Sequence, residues 1–88
     1  MSPTPQQIRT AATIDQFVRE IDRKGGGDVM LLENMIYQMS AFKTLLDSCE
    51  GDQLDQLCSQ FVGFYRYAKL LEQMAQAIQD GRIDPAEF

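Results

Sequence analysis

The sequence predicts an all-α protein built on a long antiparallel helical hairpin with a shorter helix before it, and three observations carry that expectation. Leu32, Met35, Met39, Phe42, Leu46 and Cys49 form one heptad stripe, and Leu54, Leu57, Phe61, Phe64, Ala68, Leu71, Ala75 and Ile78 form a second. Steps of three and four residues hold one face of a helix in register. Only Glu50 to Gln53 separate the stripes, and Gly25-Gly26-Gly27 separates them from an earlier amphipathic segment.

The first helix is expected over 5–24, after a loose arm at 1–4. Thr4 is placed to cap it, Pro5 suits its first turn, and Gln7 follows the cap by three residues as a capping box requires. Thr13 with Gln16 offers a second box, from which the helix would begin at Ile14. Ala11, Ile14, Phe17, Val18 and Ile21 share one face, with Asp15 to Arg19 and Glu20 to Lys24 as i,i+4 ion pairs on the wet side. Three consecutive glycines cost a helix about 3 kcal/mol relative to alanines, so 25–27 is read as a flexible joint.

The second helix is expected over 28–50, capped by Asp28, with Gly51 as a left-handed stop. The third runs over 52–80, capped by Asp52 and stopped by Gly81, with Pro85 beyond it in an 81–88 tail. A turn this short makes the two helices antiparallel neighbours. The third, at roughly 40 Å, outruns the second at roughly 32 Å. Leu71, Met74, Ala75 and Ile78 lie on that overhang and stabilise only when covered. The third helix's stripe also broadens on opposite sides, through Cys58, Val62 and Tyr65 early and through Tyr67, Leu70, Met74 and Ala77 late. A second neighbour is implied, either the first helix or another subunit; the reading adopted is a homodimeric helical bundle forming a single all-α domain over 1–88.

Composition narrows function by exclusion. The net charge of −5 comes as +1 over 1–24, −3 over 28–50, −2 over 52–80 and −1 in the tail, so no segment is a basic patch for nucleic acid. Polar residues interrupt every apolar run before it reaches membrane-span length, and the first residues lack the basic-then-apolar order of a signal peptide, which points to the cytoplasm. Without histidine the usual general base and the commonest metal ligand are missing, so neither an enzyme, a cofactor nor a metal site is expected. Cys49 and Cys58 occupy apolar positions and read as core thiols. Asp47, Glu50, Asp52 and Asp55 gather at the turn without the spacing of a calcium loop.

What remains is a non-enzymatic protein–protein interaction module, an adaptor, regulator or assembly factor whose partners are itself and an unidentified protein. Met30, Tyr37, Tyr65, Tyr67 and Met74 are the candidate partner-binding residues, because methionine and tyrosine on a helix shoulder suit adaptable contacts. The tyrosine hydroxyls are expected to be wet. The alternative is an acidic inhibitor that occupies a nucleic-acid-binding site on its target.

Overall fold

A computed structural model describes residues 1–84; Pro85, expected just beyond the last helix, and Glu87-Phe88 lie outside the described residues. Among these residues there are five helices and no strand: α1 (Pro5–Arg23), α2 (Gly27–Asn34), α3 (Ile36–Ser48), α4 (Gly51–Gln60) and α5 (Val62–Gln79).

The start of α1 follows its sequence signature. The Thr4 hydroxyl accepts the Gln7 N–H at 3.1 Å while the Gln7 amide oxygen accepts the Thr4 N–H at 2.9 Å, closing the capping box. Thr13 caps nothing; its hydroxyl donates to the Arg9 carbonyl inside the helix. Ala11, Ile14, Val18 and Ile21 are buried, as their shared face requires. The arm before α1 is tied down. The Met1 amino group pairs with Asp52, Gln56 donates to the Met1 carbonyl, and Gln53 donates to the Ser2 carbonyl.

Both long helices are broken where the stripes run straight through. The expected helix over 28–50 divides at Met35, whose backbone stays right-handed (φ −56°, ψ −35°) but whose carbonyl accepts the Gln38 N–H, an i to i+3 bond. A tighter step of this kind kinks a helix. The expected helix over 52–80 divides at Phe61, which is extended (φ −123°, ψ 99°) and reverses the chain between α4 and α5. Neither position carries glycine or proline.

The caps differ from expectation as well. Gly26, not Asp28, stands before α2, and Asp28 lies in the first turn. Gly51 is the first residue of α4 and has no positive φ. Its cap is Glu50, boxed with Gln53, and Asp52, the expected cap, lies in the first turn. Gly81 does take the left-handed stop, at φ +76°.

These breaks change what packs on what. α1, not a hairpin seam, is the centre: it lies most extensively against α5 and also against α3 and α2, while α4 packs on α5. α3 and α4 meet at their turn but do not run along each other. The first helix therefore packs in cis and takes the second side of the α5 stripe, with Leu70, Leu71 and Met74 packed against the core. The seam of the second helix rotates accordingly. Leu31, Met35, Phe42 and Leu45 are buried, whereas Leu46 is exposed and Leu32, Met39 and Cys49 are only half-buried.

The centre is aromatic. Phe64 and Tyr67 of α5 are completely buried and meet Phe42 of α3 at ring separations of 5.6 and 5.1 Å, both tilted. Tilted pairs of this kind add about 0.5–1.5 kcal/mol beyond the area they bury.

Candidate interaction surface

Three polar clusters fix the helices, and what they leave outside defines the surface. The first joins the starts of α1 and α4. Gln7 and Gln53 are both buried; the Gln7 amide donates to the Ser48 carbonyl at 3.0 Å and to the Gln53 amide oxygen at 3.4 Å. Gln53 in turn accepts the Glu50 N–H at 2.9 Å. Two capping boxes thus share one hydrogen-bonded interior, which is how two glutamines sit there without an orphaned group.

The second cluster starts α5. Gly63 is the second residue of that helix, and its N–H donates to the Asp15 carboxylate of α1 at 2.6 Å. A carboxylate at a helix N-terminus satisfies a free N–H and favours the dipole. Its other oxygen accepts from Arg19 at 2.8 Å. Asp15 therefore makes the expected ion pair but from a buried position, not the wet side. Glycine is required opposite: a Cβ at Gly63 would stand 2.5 Å from an Asp15 carboxylate oxygen and 2.9 Å from its backbone carbonyl oxygen.

The third cluster bridges the triglycine. Arg66 reaches Asp22 at the end of α1 at 2.6 Å and Asp28 at the start of α2 at 2.7 Å, and these carboxylates hold its guanidinium above its usual range, the Asp22 bond contributing most. Gly25 and Gly27 do adopt positive φ, at +77° and +57°. The joint is closed by Arg66, not left loose.

The five candidate residues do not come together. Tyr67 is the clearest correction: it is 0% exposed, and its hydroxyl donates to the Met35 carbonyl at 2.8 Å, at the helix break. Burial pushes its phenol up to about 12. Met30 and Met74 are half-buried and pack on the core, Met30 beside Gly26. Tyr37 is 74% exposed on α3 and Tyr65 is 46% exposed on α5.

Three exposed apolar residues outside the sequence-based candidates, Val29, Ile36 and Val62, lie on the same helices as those two tyrosines or next to them. Val29 and Ile36, seven residues apart, are 69% and 72% exposed. Because Met35 keeps helical dihedrals, the outer face runs unbroken from α2 to α3 as Val29, Glu33, Ile36, Tyr37, Ser40, Ala41 and Thr44, all exposed. Neither Val29 nor Ile36 belongs to a heptad stripe, which is the sequence signal of their exposure. Val62 joins Tyr65 on the outer side of α5.

Several surface bases are paired with acids of their own helix. Lys43 pairs with Asp47 at 3.6 Å and Lys69 with Glu72 at 3.8 Å, while Arg23 pairs with Glu20. The Cys49 and Cys58 thiols are half-buried, unpaired, and pushed up by burial. No helix among the described residues is long and apolar enough to cross a membrane. No family model, curated protein or solved structure matches the chain.

Proposed function

We propose that the chain is a non-enzymatic interaction module that binds another protein through the outer face of α2 and α3, making and breaking no bond. The observation that carries this is three large apolar side chains, Val29, Ile36 and Tyr37, each more than two-thirds exposed on one continuous helical face. Exposed apolar side chains grouped on one face mark contact sites in a way that scattered ones do not. Tyr37 is the best anchor among them, because a tyrosine loses little rotamer freedom for the area it covers. Two unpaired thiols fit a reducing compartment, so we place the protein in the cytoplasm.

Self-association belongs to the same proposal. A second copy is one of the proteins that such an all-helical chain is suited to meet.

The acidic inhibitor reading draws less support. Asp15, Glu20, Asp22, Asp28, Asp47, Glu72 and Asp80, seven of the 13 acids, each face an arginine or lysine of this chain, so more than half of the carboxylates are already engaged with its own bases. A photo-crosslinking residue at position 37, compared with one at exposed position 16 on α1, tests the face in native extract. A discrete adduct from position 37 alone, lost when Ile36→Glu is added, is expected. Equal labelling from both positions would overturn the assignment, and binding that collapses steeply with salt would favour charge mimicry.

A further inference from the structure

We propose that Phe61 is a hinge through which two copies of this chain exchange α5, with α4 and α5 joining into one straight helix in each copy. The inference rests on the self-association part of the proposed function and says how that association is built.

Phe61 is the one non-helical residue between Gly51 and Gln79. A one-residue connection between two packed helices is the kind of short hinge that invites exchange. Nothing local forbids helix there: residues 59–62 are Ser, Gln, Phe and Val, with no proline, and Phe61 has an ordinary extended backbone that any such residue can trade for αR. The apolar steps Leu54, Leu57, Phe61, Phe64, Ala68 and Leu71 continue through the break in helical register. The break is held from outside, by the Asp15 carboxylate taking the Gly63 N–H that a continuous helix would give to the Ser59 carbonyl.

Geometry decides where α5 goes when Phe61 straightens. A helix over residues 51–79 is about 43 Å long. The molecule's greatest extent is 38 Å. α4 is held to the start of α1 through Gln7 with Gln53 and Gln53 with the Ser2 carbonyl, so straightening Phe61 carries α5 away from its own α1, and its buried Phe64 and Tyr67 need another α1 to cover them. A surface already shaped for them is the same one in a second copy. Exchange restores every contact between α5 and the earlier chain away from the hinge: Arg66 with Asp22 and Asp28, Tyr67 with the Met35 carbonyl, and the Phe42 ring pairs.

Two experiments test the hinge. Val62→Pro places proline at the first position of α5, where the missing N–H is not needed, and the side chain lost is 69% exposed. A residue before proline avoids αR, so Phe61 is locked extended. After refolding at about 100 μM, where mass action favours association, light scattering is expected to show a species of twice the 10.0 kDa chain mass for the wild type and about tenfold less of it for Val62→Pro.

The second experiment uses the Arg66 clamp. A chain carrying Asp22→Arg with Asp28→Arg is refolded together with a chain carrying Arg66→Asp. Each alone has a like-charged clamp, but an exchanged pair places opposite charges together in both halves, so a heterodimer exceeding either homodimer several-fold is expected. Val62→Pro that is folded by circular dichroism and as dimeric as wild type would overturn the exchange while leaving self-association through another surface intact. A wild type that stays at the mass of one chain, with no heterodimer from the mixture, would overturn both.

Discussion

The two interruptions of the apolar stripes, at Met35 and at Phe61, are made by the same device used to different depths. At Met35 the backbone never leaves the helical region, and a buried hydroxyl from Tyr67 meets the carbonyl at the kink. At Phe61 the backbone leaves it completely, and a buried carboxylate from Asp15 caps the helix that begins again. A polar side chain from a distant helix acts at both: at Met35 it joins the local Gln38 bond on the same carbonyl, and at Phe61 it replaces a bond that a continuous helix would make. The difference lies in the strength of that side chain's bond: a neutral hydroxyl accompanies a kink, whereas a charged acceptor at a helix N-terminus, roughly twice as strong, secures a reversal.

That contrast can be broken most severely at Asp15. Asp15→Ala leaves the Gly63 N–H buried without an acceptor and removes the α5 cap, so a loss of about 3 kcal/mol is expected in urea unfolding. Asp15→Asn keeps an acceptor and is expected to recover at least half of it. Equal losses would mean that packing, not the hydrogen bond, secures the reversal. Next is Gly63→Ala, which gains helix propensity but drives a Cβ into Asp15; a net loss of about 2 kcal/mol is expected by the same measurement.

Loss of the weaker bond is expected to cost less. Tyr67→Phe should lower stability by about 1 kcal/mol and leave the helix content by circular dichroism unchanged. The same residue sets an alkaline signature. Its folded pKa, raised to about 12 by burial, exceeds the unfolded value of 10.0, so the stability it contributes is complete below pH 10.0 and is lost as pH rises toward 12. Tyr67→Phe is expected to lack that decline in a pH series of unfolding curves. Smallest of all is Ile36→Ser with Tyr37→Ser on the outer face, expected to change stability by about 0.5 kcal/mol or less because both side chains stand in water. A larger loss would place them in a contact inside the chain or with a second copy.

The comparison also explains which features could be read from residues alone. Thr4 with Gln7, the buried face Ala11–Ile14–Val18–Ile21, the triglycine break and the Gly81 stop are signals within one or two turns of chain, and each appears in the fold. The kink at Met35 and the reversal at Phe61 depend on Tyr67 and Asp15, 32 and 48 residues away from the groups they bind. Local pattern carries no trace of such partners. Tyr67 shows the same limit: the stripe placed it on a shoulder, and its burial depends on α1 and Phe42 closing over it. Arg66 follows the same rule: two aspartates on either side of three glycines, far from it in the chain, make it a clamp.

The central place of α1 has a consequence for how the chain is made. The ribosome delivers this helix well before its principal partner, α5. At 5–20 residues per second, roughly three to eleven seconds pass between the end of one and the end of the other. Throughout that interval Ala11, Ile14, Val18 and Ile21 have no completed surface to rest on. On a polysome, where several such helices wait side by side, the α5 that arrives first need not belong to the same chain.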